Sequence, residues 1–352
     1  MNVRTFERPA VLPGARGLLV LGLLAFLLNG CSLTGLDCRR PEVFCAGLVT
    51  DTGGLGDYGL TQSAWDELRR AQTDGVIGYA AYIESVDARD YIKNIELFAR
   101  QGYDVVISAG PGLRDDTQQG ADRYPATVFI GLDQPPDESR PNFIALTFPE
   151  DRAGFLAGVL AAQMTETNVI GAVCETSGIP ANWRACEGFD AGARHENPQV
   201  KALVVYRDNG SQETLFRDAD WGRSTSLDLI RDGADVIFGV GGGTGGGALA
   251  AAAEAGAYAI GSEQDQFHVT RAAQAVLLTS LVKHAGPAVY DLVLTIHNGL
   301  PYPAEIQGRI EIASFHLLEQ QIPGQIQTGL FDLKAQLEQG SVQTGVPAQA
   351  PK

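Results

Sequence analysis

The sequence predicts an α/β protein built from two similar lobes, each with a doubly wound parallel sheet. Three observations carry that prediction. First, Ala234 to Glu263 reads as strand, Gly-rich turn, helix and strand: Val236–Val240 is a buried apolar run, Gly241–Gly247 a turn, Ala248–Ala255 a run of strong helix formers, and a strand beginning at Tyr258 ends at Glu263. Second, the same order and nearly the same length occur earlier, from Gly102-Tyr-Asp-Val-Val-Ile-Ser-Ala-Gly110 to Thr127-Val-Phe-Ile-Gly-Leu-Asp-Gln134, so that Asp133-Gln134 falls where Glu263-Gln264 falls. Third, Ala46-Gly-Leu-Val-Thr-Asp51-Thr-Gly is matched by Gly171-Ala-Val-Cys-Glu175-Thr-Ser-Gly. Each repeat therefore places acids at the C-terminal ends of two strands, where open parallel sheets bind ligands. Two such lobes face to face make a cleft suited to a small molecule.

The 352 residues, 45% hydrophobic and 19% charged, suit two domains with substantial cores. Net charge is −16, and the three Arg and one Glu within residues 1–30 leave the remainder at −18. That balance argues against nucleic acid or an anionic membrane surface as partner.

Taken in order, Arg4, Arg8 and Arg16 precede the apolar run 17–30, too short for a comfortable transmembrane helix and of the length of a signal-peptide core. Leu28-Asn-Gly-Cys31 resembles a bacterial lipobox, predicting acylation of Cys31; a plain secretory signal is the alternative. Residues 31–42 form the tether. Lobe one is expected over 43–148: strands at Phe44–Thr50, Gly78–Ile83, Val105–Ser108, Val128–Leu132 and Asn142–Phe148, with helices at Thr61–Gln72 and Asp90–Arg100. Lobe two is expected over 149–264. It opens with a small-residue helix, Asp151–Gln163, whose Gly154 and Gly158 suit close helix packing. Its strands are Val169–Cys174, Ala202–Tyr206, Val236–Val240 and the one starting at Tyr258. Gln274–Asn298 reads as a helix returning to lobe one with Lys283 and His284 in its middle; Tyr302–Phe315 reads as strands, and 340–352 as a disordered tail.

Cys38, Cys45, Cys174 and Cys186 are an even set in an exported chain, which suggests disulfides. Three pairings exist; chain proximity favours Cys38–Cys45 and Cys174–Cys186, with free buried thiols as the alternative. No HxxxH, HExxH or CxxC spacing marks a metal site, and no GxSxG elbow marks a hydrolase. Gly241, Gly243 and Gly246 fit the GxGxxG of a dinucleotide site, with Glu263 as ribose acceptor. Against that stand the export signal, the duplication and the position of the unit in the last third of the chain. No cofactor is expected.

The stretch Ala46-Gly-Leu-Val-Thr-Asp51-Thr-Gly-Gly-Leu-Gly-Asp57-Tyr-Gly-Leu60-Thr-Gln-Ser-Ala-Trp65 resembles the opening motif of the BMP family, the basic membrane lipoproteins and purine-nucleoside-receptor-like substrate-binding proteins of ABC importers. The likeness continues through Asp90-Tyr-Ile-Lys-Asn-Ile, Tyr124-Pro, Gly233-Ala-Asp-Val-Ile, the Gly run, Ile260-Gly-Ser-Glu-Gln-Asp-Gln266 and Thr279-Ser-Leu-Val-Lys283, over nearly the whole mature chain. The resemblance implies the type I periplasmic-binding-protein fold, a nucleoside-like ligand between two closing lobes, and an ABC permease as partner. It matches Asp51 to an acid holding ribose or base, Asp133 to a second polar contact, and Phe216, in Phe216-Arg-Asp218, to an aromatic stacked on the base, with Asp218 counted among the ligand contacts. It places Gly242 in the Gly-rich turn and Lys283 as a basic ligand contact. Departures occur at Glu263, where Asp is usual, at Leu60, where a second stacking Phe is usual, and at Thr61, where Asn is usual. Trp183, Trp221 and Tyr58 are candidates for the missing wall. The reading is a lipid-anchored extracytoplasmic solute-binding protein and not an enzyme. The rivals are a ligand sensor on the same scaffold and, further off, an exported NAD-dependent enzyme.

Overall fold

A computed structural model of the chain describes residues 37–56, 60–211 and 214–350. The signal segment, the lipobox with Cys31, the start of the tether and Tyr58 lie outside the described residues. The first sheet has the order β11-β5-β4-β3-β1-β2 and the second β12-β10-β9-β8-β6-β7. The first comprises β1 (Cys45–Thr50), β2 (Tyr79–Ile83), β3 (Val105–Ala109), β4 (Val128–Leu132), β5 (Phe143–Thr147) and β11 (Glu305–Gln307). The second comprises β6 (Val169–Cys174), β7 (Lys201–Tyr206), β8 (Val236–Val240), β9 (Tyr258–Glu263), β10 (Leu277–His284) and β12 (Arg309–Ile312). All pairings are parallel except β10 with β12. The two orders superimpose strand for strand, so the duplication read from the sequence is one of topology as well.

Small details repeat with it. Gly102 and Gly233, before β3 and β8, both have φ near +90° (85° and 103°), and Gly110 and Gly241, after those strands, have φ of 114° and 98°. Asp104 and Asp235, at the two strand starts, accept backbone N–H groups from a neighbouring segment: Asp104 from Cys45 at 2.7 Å, Asp235 from Glu166 and Thr167 at 2.7 and 2.9 Å.

Helices α1 (Leu60–Thr73), α2 (Tyr91–Arg100) and α3 (Arg114–Arg123) flank the first sheet, and α4 (Glu150–Met164), α5 (Pro180–Glu196), α6 (Ala219–Arg231) and α7 (Gly242–Ala255) the second. They are followed by the short α8 (Gln266–Val269), α9 (Gly286–His297) and α10 (Gly324–Gln339). One apolar cluster runs through both halves, from Leu48, Ile107 and Ile144 to Phe155, Val236 and Leu281. Two smaller ones fill the outer faces, around Phe98, Phe129 and Phe143, and around Val173, Ile237 and Leu249. Glycines set the helix spacing. A Cβ on Gly154 or Gly158 of α4 would lie 1.8 or 1.9 Å from a carbonyl oxygen of α5, and Cβ atoms on Gly188 and Gly192 would meet α4 in the same way.

Three departures from the sequence reading matter. Leu277–His284 is a strand, not the middle of a helix: the apolar run Val276-Leu-Leu-Thr-Ser-Leu-Val282 fills the fifth position of the second sheet, where both faces are covered. Only Gly286–His297 is helical, and it packs on α1 of lobe one. The Gly run is also not a turn: α7 begins at Gly242, because surrounding backbone approaches too closely for side chains. Finally, residues 340–350 carry no regular element but lie against lobe two, where Thr344 Oγ1 donates to Asp151 and Arg184 to the carbonyl of Ala348. Cys38 is bridged to Cys45 and Cys174 to Cys186.

Candidate functional site

The C-terminal ends of the two sheets meet across a cleft. The chain crosses beside it between β5 and α4, between β10 and α9, and between β11 and β12. Asp51 follows β1 beside the point where strand order reverses, the place at which open sheets bind ligands. Its Oδ1 accepts the Gly53 N–H at 2.8 Å, and a Cβ on Gly110 would stand 2.9 Å from its Oδ2. Asp133 follows β4 and Glu263 ends β9, the equivalent position in the other lobe. Both are left-handed, with φ of 60° and 67°. That conformation costs a non-glycine residue about 1–2 kcal/mol and is met where function or packing over-determines the backbone.

Asp133 and Glu263 converge on Lys283, near the end of β10 and 4% exposed. Its Nζ lies 2.8 Å from Asp133 Oδ2 and 3.2 Å from Glu150 Oε1 at the start of α4. Arg184 of α5 binds the other oxygen of Glu150. Burial opposes the charge on Lys283, but Asp133, Glu150 and Glu263 outweigh it and raise its pKa. Burial pushes Asp133 up, against the pull of Lys283. Burial acts on Glu150 as well, yet Lys283 and Arg184 together hold it below its ordinary value. Glu263 is pushed up by burial, with Lys283 and the backbone N–H of Gly242 opposing. Three carboxylates thus share two cations. The Asp133–Lys283 pair joins lobe one to lobe two.

A second network shapes the wall of lobe two. Glu175, after β6, is fully buried. It accepts Arg207 Nη1 at 3.1 Å, the Phe216 N–H at 2.9 Å and Thr244 Oγ1 at 2.7 Å. Arg207, 3% exposed, also donates through Nε to Asp218 at 3.0 Å. Asp218 is the N-cap of α6, accepting the Trp221 N–H at 3.1 Å. The Asp218 carboxylate is thus engaged by the helix end and by Arg207. Phe216 is half-buried at φ 61°, and its carbonyl accepts the Gly243 N–H at 2.7 Å. A Cβ on Gly242 would stand 2.8 Å from that carbonyl, one on Gly245 2.8 Å from Val240 N, and one on Gly247 2.1 Å from the Ala219 carbonyl. Three glycines of the run are thus set by close approach of the chain's own backbone.

Leu60 and Thr61 open α1; Leu60 is half-buried against the main core and Thr61 is buried. Trp183 is buried in α5, and Trp221 packs on the outer core of lobe two. Lys283 owes its place to the end of a strand rather than to a helix face. The sequence reading missed Glu150, Arg184, Arg207 and Tyr91. Tyr91 stands at the lobe-one side with its hydroxyl raised by burial and by Asp51, while Arg217 of lobe two opposes that shift from across the cleft. A charged residue next to a helix start, as in Pro149-Glu150-Asp151, was the signal available for Glu150.

A model of the family described as Bmp, the PnrA-like ABC transporter substrate-binding proteins, matches residues 45–307. The chain belongs to that family. It is 29% identical over 304 residues to a CD4+ T-cell-stimulating antigen of Listeria innocua, covering 81% of this chain and 83% of that one. It is 28% identical over 296 residues to an ABC transporter nucleoside-binding protein of Lactococcus lactis, covering 78% and 81%. An uncharacterised lipoprotein of Pyrococcus abyssi matches at 27% over 64% of this chain and 55% of its own. Among solved structures, a transcriptional activator of the comK gene from Bacillus halodurans superimposes with TM-score 0.68 at 20% identity, over 85% of this chain and 99% of that one. A solute-binding protein of an ABC transporter system from Aeropyrum pernix gives 0.67 at 20%, over 85% and 92%. These similarities establish the type I periplasmic-binding-protein fold. As a Bmp-family member the protein is an extracytoplasmic ABC substrate-binding protein, which takes up a small ligand for delivery to a permease, and not an enzyme. Among the described residues no helix is long and apolar enough to cross a membrane.

Proposed function

We propose that this Bmp-family protein binds a nucleoside, a purine nucleoside first, between its lobes, and that it is held to the membrane by a lipid on Cys31. The observation that carries the ligand assignment is the convergence of Asp133, Glu150, Glu263 and Lys283 at the strand ends, three carboxylates to one ammonium with Arg184 behind. An excess of acceptors suits a neutral ligand rich in hydroxyl and amino donors, and disfavours a phosphorylated one. Asp51 and Asp133 are taken to accept ribose or base donors from lobe one and Glu263 from lobe two. Phe216 offers its ring to the base, on a loop fixed by Glu175 and Arg207, and Gly242 lets the backbone of α7 come close to that loop. Lys283 closes the lobes by pairing with Asp133. The Lactococcus relative's name supports the nucleoside, and the Pyrococcus relative's name supports the lipid anchor.

The ligand assignment is tested by mass spectrometry of small molecules released from natively purified protein, followed by isothermal titration with adenosine, guanosine, inosine and their monophosphates. Nucleosides are expected to bind and monophosphates to bind far more weakly. Release and binding of a sugar or amine alone would overturn the nucleoside while leaving the family role intact. For the anchor, Cys31→Ala is expected to move the protein from the membrane to the soluble fraction.

A further inference from the structure

On lobe two, just past the end of β9, the structure groups Asp265, His268 and His316, whose ligand-type atoms all lie within 4.8 Å of one another. We propose that these three side chains form a zinc site, with water as the fourth ligand. His316 Nε2 lies 3.0 Å and His268 Nε2 3.7 Å from the same oxygen, Asp265 Oδ2. Tetrahedral zinc with N and O ligands at about 2.0–2.2 Å requires neighbouring ligand atoms about 3.4 Å apart, and the two measured spacings bracket that value. Two imidazoles and one carboxylate are a borderline donor set suited to zinc rather than to calcium or magnesium, which favour oxygen alone.

The three groups are held in place by the fold. Asp265 is the N-cap of α8, its Oδ1 accepting the Phe267 N–H at 3.2 Å. His316 Nε2 lies near both carboxylate oxygens, 3.2 Å from Oδ1 and 3.0 Å from Oδ2, and His268 Nε2 faces Oδ2. The His316 ring stacks on Phe267 at 4.0 Å and 11°, and stands at 90° to the His268 ring. The backbone N–H of His316 donates to Ser314 Oγ at 3.2 Å, and the residue takes φ 45°. His268, one turn after Asp265, faces the same carboxylate oxygen as His316, so two imidazoles meet one carboxylate. His268 is 45% exposed and Asp265 and His316 are 18% and 15% exposed, so the cluster has an entry from solvent on one side and protein on the other. The ion would clamp α8, which follows Glu263, to the segment that leaves β12. It would thus brace the edge of lobe two whose strands continue into the hinge.

The test uses purified, untagged, chelator-stripped protein with zinc alone, and cobalt as a spectroscopic probe. One zinc per chain is expected, with a rise in the thermal midpoint of several degrees at saturating metal, because a ligand that binds only the folded state stabilises it. Cobalt is expected to give the intense visible bands of a tetrahedral site. His268→Ala, at an exposed position, should keep the fold by circular dichroism yet weaken zinc at least roughly tenfold to a hundredfold, the loss that even outer-shell changes produce. His195→Ala, the control, should leave zinc binding unchanged. Zinc affinity equal in wild type and His268→Ala, or no zinc-dependent change in the midpoint of wild type, would overturn the site and reduce the cluster to a hydrogen-bonded His–Asp pair.

Discussion

The two lobes share a strand order but use the same positions differently. After the first strand, lobe one carries Asp51 and lobe two Glu175. Asp51 is half-buried, and its carboxylate accepts the Gly53 N–H in a short turn. Glu175 is fully buried and bonded to Arg207, Phe216 N–H and Thr244. A longer acid sunk in the lobe has become the peg on which the Phe216 loop hangs, while the shorter one stays half-buried, in the position proposed for ligand contact. The acids after β4 and β9 diverge less: Asp133 and Glu263 keep the same left-handed backbone and both approach Lys283. Duplication thus copied the scaffold, and the burial of each acid set its task.

The sharpest way to break the contrast is on the stability side. Arg207→Ala leaves Glu175 charged and buried without its cation, and should cost about 3–5 kcal/mol in chemical denaturation, the usual result of halving a buried pair. Asp51→Ala should change stability by less than about 1 kcal/mol. If the two variants unfold alike, the division into peg and ligand contact is wrong. A comparable loss is expected at the lobe-two helix pair, where Gly158→Ala drives a Cβ to 1.9 Å from the Phe189 carbonyl; overpacking costs typically 1–3 kcal/mol or more, read as a lowered thermal midpoint.

On the binding side the order reverses. Asp51→Ala should weaken the ligand by roughly tenfold to a hundredfold by isothermal titration, as a charged acceptor of a ligand hydroxyl is worth about 1.5–3 kcal/mol. Phe216→Ala should cost about 1–3 kcal/mol of binding if a base stacks there, and little for a non-aromatic ligand. Leu60→Phe adds a second ring at the start of α1 and should tighten a purine nucleoside or leave it unharmed; loss of binding would point to a bulkier or less planar ligand.

The smallest effect concerns pH. Glu150 is held below its ordinary value of 4.5, so its contribution to stability is present above that pH and is lost as pH falls through the depressed value. Glu150→Gln should remove that part of the acid destabilisation. Asp133, pushed above 3.8 by burial, has the opposite sign: its share is largest below its ordinary value and fades as pH rises through the raised one. Acid denaturation curves of the Glu150→Gln and Asp133→Asn variants should therefore shift from wild type in opposite directions; shifts of the same sign would contradict the pairing.

Much of this was legible in the chain. Apolar runs such as Val236–Val240 state their strands, and the recurrence of Gly-x-Asp-Val before β3 and β8 states the duplication, because backbone turns with positive φ and strand-start acids are local requirements. What failed did so for non-local reasons. Leu277–His284 lacks the alternation of a half-exposed strand because both its faces are covered, and a doubly buried strand cannot be told from a buried helix by periodicity. The engagement of Asp218 by Arg207 and by the start of α6 is likewise visible only in three dimensions.

By itself, then, the sequence determined the two-lobed α/β design, the Bmp-family resemblance and the strand-end acids, all of which depend on patterns within one repeat length. Tertiary structure alone decided which acid is buried and which is open, that Lys283 bridges the lobes to Asp133, and that His268 and His316 share one carboxylate. Each of those facts joins segments separated by tens of residues or more. Charge pairing and burial depend on distance in space, which no local spacing records.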